Sequence, residues 1–493
     1  MGVDLGTQSA RAVLVDDDGN VLGSGAAPLG GSRDGVRHEQ SPDDWWEAVR
    51  TAVGGALRDR PPGAARPVRG LAVCGTSGTV LLTDRAGRPL TPGLMYDDGR
   101  ATAEAALARE RGLRVQPTWA LPKVMWLLGE HPVGEGVRLA HQADHIVSRL
   151  VGRPVPTDSS HALKTGYDLT GDDWPHEKLR TLGLGAGLFP EVVRPGTRLG
   201  EVDAGGEAAT GIPAGTPVIA GMTDGCAAQI ASGSLGTGSW NSVLGTTLVL
   251  KGVTARPVHD RTGVVYNHRS PDGGWLPGGA SGVGAGALGK AFPDADPAYF
   301  DDQAHRYEPS NVLAYPLVSR GERFPFLAPD ATPLLLGTPW SDADHWAALL
   351  QGVGHTERLC LDYLDHLGAP QDGPLTFTGG GSRSAYWNQL RTDILGRTVH
   401  IPRHSEPALG MAVLAAHGAG GAGAAPTLAA AAERMVGRGH VLHPDPARTT
   451  RFLEPYLRMV GELERRGWLP APVAAHARTR AGQAVRTDDL EAS

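Results

Sequence analysis

The sequence predicts an α/β protein built as two sheet-containing halves, and three observations carry that prediction. The chain opens on a short apolar strand, Val3-Asp4-Leu5, turns at Gly6-Thr7-Gln8-Ser9, and returns as a second apolar strand to Asp16. Apolar strands then alternate with helical stretches, the pattern of strands buried beneath helices. Near the middle, Trp240–Leu250 repeats the opening theme of strand, Leu-Gly-Thr turn, strand.

Composition bounds the rest. At 493 residues the chain is too long for one ordinary core, so two or more domains are expected. Apolar residues at 41% and charged residues at 20% fit a soluble globular protein. A net charge of −7 argues against nucleic acid as a partner, because a phosphate-backbone binder needs a basic surface. Cys74, Cys226 and Cys360 are widely separated and form no CxxC pair, which points to a reducing compartment. The start is neither basic nor a long apolar run, so no signal peptide is expected. The longest stretch of small apolar residues, Val413–Ala431, is broken by glycine, histidine and proline, so no membrane partner is expected either. A cytoplasmic protein is the resulting expectation.

The elements follow in order. Residues 3–5, 11–16 and 20–26 read as a meander, with Asp17-Asp18-Gly19-Asn20 turning between the last two. Ser41-Pro42-Asp43-Asp44 starts a helix: serine caps, proline takes the first helical position, and an acid follows. That helix runs to about Arg58, with Trp45, Val49, Val53 and Leu57 on one face. Val68–Cys74 is a strand entering Gly75-Thr76-Ser77-Gly78-Thr79, and Val80–Thr83 continues as another. Residues 101–200 are helical and loop-rich. Pro217–Gly221 is a buried strand that ends at Met222-Thr223-Asp224-Gly225, before a small-residue helix from Cys226 to Ser232. Leu375–Thr378 is a strand ending in Gly379-Gly380-Gly381-Ser382, followed by a helix from Ala385 to Leu395. These divide the chain into domains at 1–247 and 248–460, forming a cleft that holds phosphates from both sides. The polar tail, 461–493, is expected to be disordered.

The opening hairpin has the chemistry of a phosphate site. An acid at a strand end can hold Mg²⁺, directly or through water, and a glycine turn lets backbone N–H groups approach phosphate oxygens. An ordinary hairpin also uses glycine, so a second acid matters. Asp224 sits at a strand end before a helix, placed to accept a proton from an attacking hydroxyl. By itself it would read as a helix N-cap. Together, Asp4 on the metal side and Asp224 on the nucleophile side divide the work of phosphoryl transfer, which needs positioning and charge neutralisation. Gly379-Gly380-Gly381 could let backbone lie against a purine, with Ser384, Trp387 and Asn388 near the base or ribose, or could be a plain strand-to-helix turn. Thr76, Ser77, Tyr96, Asp97, Asp98 and Arg100 are polar groups at sheet ends that could hydrogen-bond a polyol, or could be ordinary loop polarity.

Other patterns carry less. Gly284-Ala285-Gly286-Ala287-Leu288-Gly289-Lys290-Ala291 nearly spells a P-loop, but no Ser or Thr follows the lysine and no long strand leads directly in. His141 and His145 lack the glutamate of a zinc-protease motif. His400 and His404 straddle Pro402, and Cys226 reads as a small buried residue.

With these residues in view, the chain resembles the FGGY carbohydrate kinases, the sugar-kinase branch of the actin/hexokinase/chaperone ATPase superfamily. The resemblance covers about residues 2–455 and rests on features in order. They are Val3-Asp4-Leu5-Gly6-Thr7 with Arg11, Gln40-Ser41-Pro42 with Trp45-Trp46, Gly75-Thr76-Ser77, Asp97-Asp98 with Arg100, Ala220–Asp224, Leu244–Thr247, and Gly379–Ser382. It implies two ribonuclease-H-like domains flanking a central cleft, with ATP and Mg²⁺ as cofactors. Asp224 matches the family's base and Asp4 its metal-side acid, so both are expected to act in catalysis and to hold the metal. Sugar binding is expected from Thr76, Ser77, Asp97, Asp98, Asp224 and Gly225. ATP binding is expected from Gly6, Thr7, Gln8, Arg11, Gly245, Thr246, Thr247, Gly282, Gly380, Gly381, Ser384 and Asn388. A small-molecule sugar and ATP are the implied partners, in a monomer or homodimer.

The substrate implied is a ketopentose phosphorylated at a terminal primary hydroxyl. Xylulose kinases usually carry Gln-Met-His-Gly where this chain has Thr76-Ser77-Gly78-Thr79, and the Gln-Arg-Glu-Thr-like segment of glycerol kinases is also absent. The Gly-Thr-Ser segment, Met222–Gly225 and Trp275–Ser281 look more like a ribulose-kinase-like branch. D-ribulose is therefore expected first and D-xylulose second. Alternatives are a kinase for another polyol or sugar of the family, an actin- or chaperone-like ATPase, or a sugar sensor without catalysis. Only Met1 and Gly2 precede Val3-Asp4, which points to an upstream start codon and a short first strand.

Overall fold

The computed structural model describes residues 1–61, 67–131, 134–420, 426–437 and 439–491, with side chains through 483. Part of the 413–431 stretch discussed above lies outside these residues. The chain forms two compact units. The first comprises Met1–Gly233, His268–Gly273 and His404–Gly437; the second comprises Ser234–Asn267, Gly274–Arg403 and Arg438–Ser493. The division thus falls earlier than the expected 247, and a later segment, His404–Gly437, returns to the first unit.

The first unit is organised on a six-stranded sheet, in the order Arg198–Glu201, Pro217–Ile219, Leu71–Gly75, Gly2–Leu5, Ser9–Val15, Val21–Pro28. Gly2–Leu5 pairs parallel with Leu71–Gly75 and antiparallel with Ser9–Val15. All four residues of this short first strand are buried. The helix Pro42–Arg58 covers Val21–Pro28 and Ser9–Val15, and Ser41 Oγ caps it by accepting the Asp44 amide at 3.3 Å. The helix Pro407–Ala419 lies on the central strands, and its small residues allow very close approach: a Cβ at Gly2 would sit 1.8 Å from the Ala408 carbonyl oxygen.

The second unit repeats the plan. Its strands run Trp275–Ala280, Leu248–Gly252, Trp240–Leu244, Leu375–Thr378, Val399–Ile401, His440–Leu442. Trp240–Leu244 pairs antiparallel with the returning arm of its own hairpin and parallel with Leu375–Thr378, as Gly2–Leu5 does with its neighbours. The sequence echo between the two hairpins is therefore a repeat of topology. The long helix Asp342–His366 packs beside Ala385–Leu395, whose bounds match those expected.

The tail differs from expectation. Leu453–Arg465 and Ala471–Glu491 are helices, and Val473, Ala474, Ala477 and Ala481 are buried in the second unit's core. Alanines spaced three and four apart suffice to seat a helix against Asp342–His366 without large side chains. All three cysteines are buried and none is in a disulfide. Among the described residues, no helix is long and apolar enough to cross a membrane.

Candidate active site

Sheet register places Asp4 beside Cys74 on one side and Arg11 on the other. Asp4 is only 8% exposed, and Cys74 Sγ donates to its Oδ1 at 3.4 Å. Burial, and next the charge of Asp224, push Asp4 up to about 6; the Cys74 hydrogen bond and Arg11 pull the other way. The two acids thus share one electrostatic neighbourhood. Asp224 opens the helix Asp224–Ala231, and its Oδ1 accepts the Gly225 amide at 2.7 Å. Thr223, just before it, bridges to Gly75 at the end of the strand that neighbours Asp4.

The hairpin tip is held from below. Gly6 N donates to Ser9 O at 3.1 Å. Gln40 Nε2 donates to the Thr7 carbonyl at 2.7 Å, while Gln40 Oε1 accepts the buried Trp45 indole N–H at 2.7 Å. This gives a physical reason for a glutamine and a tryptophan five positions apart: one positions the Gly6–Ser9 turn and the other locks the first. Thr7 is half-buried, and Gln8 and Arg11 are exposed.

Among the described residues, no group of three or more His, Cys, Asp or Glu gathers to hold a metal. Two carboxylates, the charge of Asp224 raising the proton affinity of Asp4, still fit Mg²⁺, which usually takes one or two protein carboxylates and completes its shell with water and phosphate.

The expected sugar-binding residues divide. Asp97 is half-buried; Arg33 Nη2 donates to it at 2.5 Å, and its other oxygen lies 2.7 Å from His38 Nδ1. Burial alone would raise Asp97, but Arg33 and His38 outweigh it and hold the carboxyl low. Asp98 is fully buried and is spent on the fold: it accepts the His38 amide at 2.7 Å and Arg100 Nη2 at 2.7 Å. Thr76 is likewise committed, donating to Gln142 Oε1 at 2.9 Å and lying 2.5 Å from the Thr79 hydroxyl. Ser77 is half-buried, and its carbonyl accepts Lys164 Nζ at 2.9 Å. Arg33, His38 and Gln142, the partners of these expected residues, and the fully buried Lys123 are not legible in the sequence. Lys123 Nζ donates to the Met95 carbonyl at 2.6 Å; burial, then Lys164, bring it down to about 7.

In the second unit, two expected nucleotide segments meet at one strand end. Gly245 N donates to Thr247 O at 3.1 Å, forming the second turn. Gly379 has φ +85°, and a Cβ there would lie 2.6 Å from the Leu244 carbonyl oxygen. Gly380 is exposed with nothing near it, and Gly381 packs on the Leu244 side chain. The P-loop-like stretch serves as a buttress. Ala285 N and Gly286 N donate to the carbonyls of Gly245 and Thr246, and Lys290 Nζ donates to the Val318 carbonyl.

Three expected nucleotide contacts are placed otherwise. The Gly282 amide is occupied by Glu322, at 2.6 Å. Ser384 caps the helix Ala385–Leu395, accepting the Trp387 amide at 3.0 Å and donating to Asp301 at 2.6 Å. Asn388 is buried and braces the glycine run by donating to the Ser382 carbonyl at 2.7 Å.

Comparison with known proteins agrees with this arrangement. The N-terminal domain of the FGGY family of carbohydrate kinases matches residues 1–231, and the C-terminal domain matches 232–419. The chain is 32% identical to a xylulose kinase of Streptomyces coelicolor over 439 residues, covering 84% of this chain and 87% of that one. It is 30% identical to a xylulose kinase of Streptomyces rubiginosus over 437 residues, with the same coverage. A crystal structure of xylulose kinase from Rhodospirillum rubrum superposes with a TM-score of 0.83 at 24% identity, covering 94% of this chain and 98% of that one; it shows the fold. Two hairpins on one topology, an acid pair beneath the first, and both matched domains lead to one conclusion: the chain belongs to the FGGY family of carbohydrate kinases and is an ATP-dependent sugar kinase.

Proposed function

We propose that this kinase phosphorylates the terminal primary hydroxyl of a ketopentose, with Asp224 as general base. One observation carries the assignment: Asp224 lies close enough that its charge raises Asp4, with the strand Leu71–Gly75 pairing Gly2–Leu5 on one side and bridging Thr223 on the other. Asp224 is the less enclosed of the two and stands at a helix start. The hydroxyl proton passes to an Asp224 oxygen as the hydroxyl oxygen bonds to the γ-phosphorus. The bond from that phosphorus to the bridging oxygen of ADP breaks. General-base help of this kind contributes roughly 10²–10⁴-fold. Asp4 and Asp224 would hold Mg²⁺, which when bound neutralises charge on the phosphate oxygens. Asp97 and the Ser77 segment would take the sugar's other hydroxyls. The turns at Gly6–Gln8 and Gly245–Thr247 and the run at Gly380–Gly381 would take the nucleotide.

D-ribulose is the favoured acceptor because Thr76-Ser77-Gly78-Thr79 stands where xylulose kinases usually carry Gln-Met-His-Gly. D-xylulose is the second reading, supported by relatives that bear that name. A coupled ADP-release screen over ketopentoses, polyols and aldoses tests both. ADP release that no sugar stimulates would sink the kinase assignment in favour of a plain ATPase.

A further inference from the structure

Behind the start of the Asp224 helix lies a buried polar turn. Asp158 ends the short strand Thr157–Asp158 and caps the helix Ser159–Ala162. Asp158 is 4% exposed, and Ser160 and His161 are fully buried. Asp158 Oδ1 accepts the Ser160 amide at 2.8 Å and the Ser160 hydroxyl at 2.5 Å. Its Oδ2 pairs with His161 Nδ1. Because Ser160 gives its one proton to Asp158, its lone pairs are left to accept, and they take the Thr223 amide at 2.9 Å. Thr223 is the N-cap of the helix that begins at Asp224, and its own side chain makes no capping bond.

We propose that His161, Asp158 and Ser160 form a positioning relay that fixes the Thr223 backbone and thereby sets where Asp224 stands. The relay rests on Asp224 being the base. Its direction is dictated by donors and acceptors: Thr223 N–H to Ser160 Oγ, Ser160 O–H to Asp158 Oδ1, and His161 Nδ1–H to Asp158 Oδ2.

Charge supports that direction. Burial works to lower His161, but the charge and hydrogen bond of Asp158, with Asp144 and Asp224 adding, raise it to about 9. The ring is then an imidazolium whose Nδ1 donates. A second imidazole, His141, lies 5.7 Å away and is held by Asp144 at 2.9 Å and by the Thr165 hydroxyl at 2.8 Å. Buried charge is costly unless paired, so an apolar turn would be the cheaper way to fill this space. What the polar turn supplies is a fixed position for one amide. Placement matters this much because a shift of about 1 Å at a reacting group can cost roughly 10²-fold in rate.

The test uses the full-length enzyme with ADP release as the readout, alongside hydrogen exchange of the backbone around Thr223. Ser160→Ala is expected to lower kcat by about 10–100-fold, with the KM for ATP within about twofold. Exchange at Thr223 should quicken in the same variant. His161→Asn keeps a donor at the Nδ1 position and should retain most of kcat, whereas His161→Gln moves its amide away and should not. This pair decides the matter if Ser160→Ala fails to fold. Unchanged kcat in Ser160→Ala, unchanged Thr223 exchange, or equal kcat for His161→Asn and His161→Gln would each overturn the relay. Wild-type enzyme that releases no ADP in response to any ketopentose would overturn the underlying assignment instead, and the exchange measurement still tests the hydrogen bond.

Discussion

Cys74 Sγ donates to Asp4 Oδ1 across two parallel strands, 3.4 Å apart. A thiol is a weak donor, yet it is one of two groups that favour the ionised form of a carboxylate otherwise pushed up by burial and by Asp224. Cys74→Ala should therefore raise the Asp4 pKa further and shift the acidic limb of the kcat/KM profile upward. Near pH 6 the loss should be about threefold, approaching about fivefold at lower pH, the worth of one modest hydrogen bond. Cys74→Ser should restore the profile. Superimposable profiles for wild type and Cys74→Ala would show that the contact has no such role.

Asp4 also sets a stability trade. Its folded-state pKa, about 6, lies above the ordinary value of 3.8. Protonation therefore favours the fold: the stability is greatest below 3.8 and is lost as pH rises through about 6. Asp4→Asn removes that penalty. At pH 8 it should stabilise the ligand-free protein by no more than about 3 kcal/mol, the limit set by the size of the shift. At pH 4.5 the gain should shrink, and sugar phosphorylation should be lost at either pH. Thermal melts of both proteins at the two pH values check this. A variant less stable than wild type at pH 8 would refute it.

Gly284 bears on the second turn. A Cβ there would lie 2.4 Å from the Thr246 carbonyl oxygen, so Gly284→Ala must displace the Gly245–Thr247 backbone. The KM for ATP should rise about tenfold while the KM for the ketopentose moves little, the signature of lost nucleotide binding. Steady-state kinetics with each substrate varied in turn measure both. A rise confined to the ketopentose would place this turn with the sugar.

Much of this was legible because the signals are local. The Asp4-Leu5-Gly6-Thr7 hairpin, its echo at Leu244-Gly245-Thr246, and the cap at Ser41 each lie within a few residues. The missing parts depend on sheet register. Gln40 reaches Thr7 from 33 positions away, and Glu322 reaches Gly282 from 40. Nothing in either sequence neighbourhood names the other. Asp98 and Thr76 looked like substrate ligands because polarity at a sheet end is visible, whereas Arg100 and Gln142 as their partners are not. The tail looked disordered because alanine counts little in composition, though it packs well at helical spacing.

The most direct test of the central claim is ketopentose-dependent ADP release by wild-type enzyme and by Asp224→Ala, with ATP binding followed in parallel. The wild type should respond to D-ribulose and, more weakly, to D-xylulose. Asp224→Ala should lose roughly 10²–10⁴-fold in kcat, the range of a removed general base, while still binding ATP. An Asp224→Ala enzyme that turns over a ketopentose at near wild-type rate would contradict the account.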